Sequence, residues 1–434
     1  MFRRTALCCI LASAIATLPT LCSDWPQWRG PNRDGKSPET GLLQEWPADG
    51  PPLAWKISGI GEGYSSASVA NGRIFTMGDL EDGQYVFALK EADGETLWKT
   101  RVGPIHEDKR GGPRSTPTVD GDRIHVMTTE GDVVCLEAAT GKQLWRRSLT
   151  EDYDGYMMKA MGSYDWKFSE SPLVDGDKVI VTPGHVQAFM VALDRKTGEE
   201  IWRTPGDRLG ARGSDGAAYA SAVVSVAAGT RHYVQLIGRG LIGVDAKSGR
   251  LLWGYNRVAS DIANIATPIV QGDHVLGSAG YGTGTGLVRI ERGDEGFEAG
   301  EIYFLEADTM QNHHGGIILH EGTLYTGTGH NKGFPLAVEF ASGKVAWGPV
   351  RNEGSASAAI SYADGRLYLR YEDGRMILVE ADPREYRERG TFVIPDVVQA
   401  SWAHPVIANG KLLLREQDAL YCHDVSAAKP ATEE

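Results

Sequence analysis

A tryptophan follows a glycine by four residues in five places along this chain: Gly94/Trp98, Gly141/Trp145, Gly198/Trp202, Gly249/Trp253 and Gly343/Trp347. The clearest copy reads Leu193-Asp194-Arg195-Lys196-Thr197-Gly198-Glu199-Glu200-Ile201-Trp202. Successive glycines stand 47, 57, 51 and 94 residues apart, and the last interval is twice 47. One degenerate copy is therefore expected in between, at Val288 to Tyr303, with a longer hairpin in place of the usual turn. A period of this length means one supersecondary unit laid side by side many times.

A second ladder precedes the first. A small or hydroxyl residue, often followed by proline, opens an apolar run at Ser66, Thr116, Ser171, Ser221, Thr267, Gly315, Ser357 and His404. Each run ends in an X-Gly pair: Asn71-Gly72, Asp120-Gly121, Asp175-Gly176, Ala228-Gly229, Gln271-Gly272, Glu321-Gly322, Asp364-Gly365 and Asn409-Gly410. Such pairs between short apolar runs predict hairpins, with glycine taking the positive φ of a type I′ turn. The 54 glycines agree with many tight turns and many short strands. Long helical periodicity is absent.

Each unit reads as four antiparallel strands, and eight openings with eight turns make eight units. The prediction is an all-β, eight-bladed β-propeller. The last unit lacks its tryptophan strand, and Leu53-Ala54-Trp55-Lys56 is the piece that supplies it. Pairing this early strand with the last blade closes the ring and removes two exposed sheet edges. The expected organisation is a signal peptide over 1–23, one propeller domain over 24–425 and a flexible tail over 426–434.

These repeats resemble the PQQ-like, quinoprotein dehydrogenase-type propeller superfamily, which includes BamB-like proteins. The resemblance rests on the Ala/Asp-x-x-Thr-Gly-x-x-x-Trp copies, on Trp25-Pro26-Gln27-Trp28-Arg29-Gly30-Pro31 and on Leu53-Ala54-Trp55, and it covers Asp24 to Asp424. It implies either a non-catalytic module that binds a protein, a glycan or a small ligand, or a dehydrogenase dependent on PQQ and calcium. Against the second stand three departures. The mature chain has no Cys-Cys pair, no Asp-x-Trp-Asp run (Gln311-Asn312-His313-His314-Gly315 stands at the corresponding blade start) and no Cys-x-x-Cys-His haem motif. Glu170 and Asn264 have the residue types of calcium ligands, with Asp261 the nearest aspartate. A non-catalytic binding module is the expectation, with no certain cofactor, no catalytic residue and no metal.

Arg3-Arg4, the apolar run Leu7 to Leu18 and the small residues near Ser23 read as an export leader, giving a periplasmic or extracellular protein without a transmembrane segment in its mature form. Cys22 fits lipid anchoring poorly. The formal charge of −13 becomes more negative once Arg3 and Arg4 are removed, which argues against nucleic acid as a partner. Cys135 and Cys422 belong to a column otherwise filled by Ala88, Ala192, Gly243 and Ala337, so they read as small buried residues without a disulfide. The repeat tryptophans read as architecture, docked between blades. Gly238-Arg239-Gly240-Leu241-Ile242-Gly243 is expected to be a hairpin, not a nucleotide loop, and Gly282-Thr283-Gly284-Thr285-Gly286 a turn.

One column does not repeat. The residues two before each opening are Tyr64, Arg114, Ser169, Tyr219, Ile265, His313, Ser355 and Trp402, with Glu170, Asn264, His314 and His404 beside them. Innermost strands line the central channel of a propeller, so this column should ring one mouth, the default place for a ligand. The predicted ligand-binding set is Tyr64, Arg114, Glu170, Tyr219, Asn264, His313, His314, Trp402 and His404. Adjacent residues on a strand face opposite ways, so His313 and His314 are not expected to share a metal, and the spacing to His320 and His330 fits no standard zinc motif. A hydrolase built on Ser66 or Ser357 with His404 has only residue types in its favour. The long linker Ser148 to Phe168 carries Tyr153, Tyr156, Met157, Met158, Met161, Tyr164 and Trp166 and should fold over the propeller face.

Overall fold

A computed structural model describes residues 23–160, 162, 164–207 and 209–427. Residues 1–22 of the expected leader, Cys22 among them, Met161 and the chain beyond Ala427 lie outside the described residues. Ser426 and Ala427 are not a free tail: Ser426 bridges to Leu42 and the Ala427 amide donates to the carbonyl of Gly41.

Among the described residues, thirty-two strands form eight four-stranded antiparallel sheets. Blades 1 to 7 span 68–103, 118–148, 173–203, 223–255, 269–305, 317–347 and 358–393, each with its four strands in chain order. Blade 8 combines 406–424 with the early strand Leu53–Ser58, which pairs antiparallel with Ala419–Asp424 and sets Trp55 opposite Cys422. The ring is closed as the repeats predicted. The degenerate copy is blade 5, where Gly284–Gly293 and Gly296–Leu305 make a long hairpin. Eight clusters of buried apolar side chains hold the ring, one at each junction between neighbours.

The tryptophan column explains itself in this frame. Trp98, Trp145, Trp202, Trp253, Trp347 and Trp55 stand directly across the strand pair from Ala88, Cys135, Ala192, Gly243, Ala337 and Cys422. A large ring on the outer strand needs a small partner opposite, and Cys135 and Cys422 are free, buried members of that column. The indole N–H of Trp98 then reaches the next blade at the carbonyl of Ala138 (3.1 Å), and those of Trp145 and Trp202 do so at Arg195 and Ala246 (3.1 and 3.3 Å). Where the tryptophan is lost the pair changes: in blade 5 Tyr303 takes its place opposite Leu287, and in blade 7 the sizes invert, Leu378 facing Gly390.

The first hairpins are of two kinds, not one. Asn71 and Gly72 both have positive φ (54° and 72°), as type I′ requires. At Asp120-Gly121 the strand runs through Asp120, so the two-residue loop is Gly121-Asp122 and only its glycine has positive φ, at 59°. That is the type II′ pattern, and Gly176 and Gly272 repeat it.

Residues 24–46 form a plug that crosses the channel from the hairpin side. Trp25 pairs with Val69 of blade 1, Pro26 accepts from Val119 of blade 2, and Arg33 donates to the carbonyls of Ser171 and Pro172 at blade 3. Trp28 donates to Thr267 Oγ1 at blade 5, Arg29 to the carbonyl of Ile317 in blade 6, and the Ser37 amide to Tyr362 of blade 7. One end of the channel is thereby filled, leaving the other as an open mouth.

Candidate functional site

The open mouth holds a cavity of about 960 Å³, counting the part open to solvent. Its floor is the top of the plug, Trp28 and Arg29, and its deepest ring comes from blade openings such as Ser171, Ser221, Thr267 and His404. Hydroxyls at the openings have a structural duty: Ser171 and Ser221 accept from the amides of Thr116 and Ser171, each 2.9 Å away, and so link blade to blade.

Above this ring stand Tyr64, Arg114, Ser169, Tyr219, Ile265, His313 and Trp402, seven of the eight positions of the non-repeating column; Ser355 is the one that stays out. His314 joins them. The rim is completed by Arg110, Trp166 and Tyr281. The linker carrying Trp166 folds over the face: Tyr153, Met157 and Met158 are buried in the junction of blades 2 and 3, and the Trp166 ring lies 5.7 Å from Tyr219.

The lining is aromatic and cationic. Tyr64 and Trp402 are 4.5 Å apart between ring centres, Arg110 lies over Trp402 at 4.8 Å and Arg114 over Tyr64 at 5.5 Å. Arg114 donates to the carbonyls of Arg110 (2.6 Å), Trp166 (3.1 Å) and Gly112 (3.4 Å), and burial pushes its pKa below the usual guanidinium range. No aspartate or glutamate lines the cavity, and neither Arg29, Arg110 nor Arg114 has an ion-pair partner among the described residues. Three arginines thus face one opening in a protein whose net charge is −13.

Two of the residues predicted for the site are elsewhere. The Glu170 carboxylate turns away from the cavity into the interior, where it accepts from the Thr182 amide (2.8 Å), Thr182 Oγ1 (3.0 Å) and Gln235 Nε2 (3.0 Å). Burial pushes it up to about 8, against the pull of Thr182 and of the Arg33 charge, and it makes no ion pair with Arg114. Asn264 is fully buried: it accepts from Ser260 N and donates to the carbonyls of Ile237 and Gly238. Its own carbonyl receives the Tyr219 amide at 2.9 Å, so it holds a lining residue in place without lining the cavity.

The serine–histidine pairing expected from residue types is also different. The Ser66 hydroxyl meets the backbone of His404 and not its ring, which contacts Arg29, the carbonyl of His314 and the face of Trp28. Ser357 instead meets His313, Oγ to Nδ1 at 2.6 Å, while the Nε2 of that ring meets the Tyr281 hydroxyl at 3.0 Å. Burial, with His314, His330 and Arg110 nearby, lowers His313 to about 2, so the ring is neutral.

His313 and His314 do converge. They lie in a bend before the strand Ile317–His320, not on it, so the alternation of a pleated strand does not separate them. Their rings are 4.5 Å apart, His330 is 4.6 Å from His313, and His314 Nε2 is 3.1 Å from Glu372 Oε1. His320 stands apart, against Tyr362. Arg110, Tyr281, Glu372 and the plug residues were missed by the sequence reading. Tyr281 and Glu372 sit in turns between the second and third strands of blades 5 and 7, Arg110 in the loop between blades 1 and 2, and only the glycine run after Tyr281 hinted at one of them.

Comparison with known proteins agrees with the architecture. A family model described as outer membrane protein assembly factor BamB matches residues 82–349. A BamB of Burkholderia pseudomallei is 29% identical over 151 residues, 35% of this chain and 34% of that protein. The quinohemoprotein alcohol dehydrogenase ADH IIB of Pseudomonas putida is 29% identical over 138 residues, 28% of this chain and 18% of that protein. The match thus spans about a third or less of the length of these curated relatives. Among solved structures, the quinohemoprotein alcohol dehydrogenase of Comamonas testosteroni superposes with a TM-score of 0.64 at 14% identity, covering 95% of this chain and 82% of that one. BamB from Moraxella catarrhalis gives 0.53 at 15% identity, covering 82% and 95%. At such identities the likeness is one of fold. No helix among the described residues is long and apolar enough to cross a membrane.

Proposed function

For a chain that belongs to the PQQ-like propeller family described as outer membrane protein assembly factor BamB, we propose a binding function without catalysis, exercised at the open mouth on a small anionic ligand with a flat apolar body. The observation that carries this reading is the charge pattern of the cavity: three arginines and a belt of aromatic rings, with no carboxylate lining it. Flat faces such as Tyr64 and Trp402 favour a planar body, and guanidinium groups favour a carboxylate, sulfonate or phosphate. Arg110 and Arg114 each contribute through a ring already beneath them as well as through charge.

Relatives named as quinohemoprotein dehydrogenases raise the alternative of PQQ with calcium. Calcium takes six to eight oxygen ligands, carboxylates foremost. Here the lining offers none, Glu170 is committed to Thr182 and Gln235, and Asp261 receives the Gly213 amide outside the cavity. The lining donor set does not fit the calcium–quinone pair, and the carboxylate next to it, Glu372, is bonded to His314 at 3.1 Å and is not among the lining residues that could act as a base. The binding reading is therefore preferred.

The test is charge selectivity. Tryptophan fluorescence is followed while the protein is titrated with 2-naphthoate or with its neutral counterpart 2-naphthalenemethanol. The expected result is saturable binding of one equivalent, with the carboxylate favoured by at least about tenfold, the worth of one charged hydrogen bond. Equal affinity for the two compounds, or no saturation by either, would overturn the reading.

A further inference from the structure

The cluster at the blade 6 side of the mouth has a use that anion binding does not absorb. His313, His314 and Glu372 each offer a ligand atom, and these atoms all lie within 4.8 Å of one another. Around a zinc ion, nitrogen and oxygen ligands at about 2.0–2.2 Å stand roughly 3.4 Å apart in a tetrahedral site. His314 Nε2 and Glu372 Oε1 are already closer than that, at 3.1 Å. Drawing His313 in needs a movement of about one ångström or a little more, in a bend that is not tied into a strand ladder.

The surroundings are those of a metal site. Imidazole with carboxylate is a donor set for zinc and its neighbours in the first transition row, not for calcium or magnesium. Both ring nitrogens of His313 are hydrogen-bonded, Nδ1 to the Ser357 hydroxyl and Nε2 to the Tyr281 hydroxyl, so metal binding would exchange one of these contacts and keep the other as the outer contact that fixes the ring and its tautomer. Ser357 also approaches the carboxylate, with its amide 3.4 Å from Glu372 Oε1. Both histidines line the cavity, so a fourth position would face the mouth. Arg110 is the cation whose field reaches His313, and it is exposed to solvent.

We propose that His313, His314 and Glu372 bind one divalent transition-metal ion of the zinc type in the wall of the channel mouth, with its remaining position open toward the cavity. The ion would add a second anion-attracting centre beside the arginines, yet the site stands whether or not an organic anion binds.

The experiment uses untagged, chelator-treated full-length protein and cobalt(II) or zinc(II) alone, with no organic ligand. Cobalt is followed by its visible ligand-field bands and zinc by calorimetry. The expected result is one equivalent per chain, with cobalt bands of a four- or five-coordinate site and a rise in melting temperature that grows with zinc concentration. His314→Ala and Glu372→Gln should each weaken binding by more than about tenfold, the loss that even an outer-shell partner can cause. A metal-free melting temperature near that of the parent protein shows that these variants fold. His320→Ala, a histidine outside the cluster, should bind as the parent does. No stoichiometric binding, or unchanged affinity in folded His314→Ala and Glu372→Gln, would overturn the proposal.

Discussion

The Trp202 indole of blade 3 lies beneath Gly249 of blade 4, so close that a Cβ added to the glycine would stand 2.6 Å from the ring. The glycine that precedes each tryptophan in the repeat therefore serves a different ring, that of the blade before. Gly198 covers Trp145, Gly141 covers Trp98, and Gly94 covers Trp55. Trp202→Ala should cost about 3–5 kcal/mol, the usual loss for truncating a large buried aromatic. Gly249→Ala should also destabilise clearly, since its Cβ would meet the ring from a backbone with φ of +72°. Equilibrium denaturation measures both. Unchanged midpoints would show that the junction does not depend on this contact.

Blade 7 has no repeat tryptophan, yet its junction with blade 8 contains one. Trp46 of the plug packs there with Tyr368, Leu378 and Tyr421, and its Cβ stands 2.6 Å from where a Cβ on Gly390 would be. Trp46→Ala should thus cost about as much as losing a repeat tryptophan, about 3–5 kcal/mol. A loss below about 1 kcal/mol would mean that the plug is only laid against the ring.

Glu170 gives the fold a pH dependence of known sign. Its folded pKa of about 8 lies above the ordinary 4.5, so between these values the folded state holds a proton that the unfolded state has released. Its contribution to stability is then lost as pH rises from about 4.5 to 8. At 1.36 kcal/mol per unit the ceiling is about 5 kcal/mol. Glu170→Gln should match the parent protein near pH 4 and become the more stable of the two by pH 8. A difference between them that stays flat with pH would contradict this account.

The donor set also predicts an enzymatic outcome. With PQQ and calcium added, the protein should not reduce an acceptor dye in the presence of short alcohols, because the mouth lacks a carboxylate lining to hold calcium or to act as base. Alcohol-dependent turnover abolished by a chelator would reverse the preference between the two functional readings.

The parts of the molecule legible in the sequence are those where the same contact recurs from blade to blade. Ala192 opposite Trp202, and Trp55 opposite Cys422, follow from a pattern that every good copy repeats. The mouth was legible for a complementary reason: Tyr64, Arg114, His313 and Trp402 differ where the fold alone asks for uniformity. Glu170 and Asn264 misled because their neighbours in sequence line the cavity while their own side chains are taken up inside, Glu170 by Thr182 and Gln235 and Asn264 by Ser260 and the carbonyl of Ile237. Sequence alone also could not place Glu372 beside His314, 58 residues apart, or set Trp28 and Arg29 under the mouth. Those contacts are made by loops and by a plug that obeys no repeat.

The most direct test of the central claim is a crystal structure of the protein with 2-naphthoate, together with the affinity of Arg114→Gln for it. The account predicts the naphthalene among Tyr64, Trp166, Tyr219 and Trp402, its carboxylate within hydrogen-bond distance of Arg110 or Arg114, and an affinity reduced at least about tenfold in the variant. Naphthoate bound only at the outer blade edges or on the hairpin face, with Arg114→Gln binding as well as the parent protein, would contradict it.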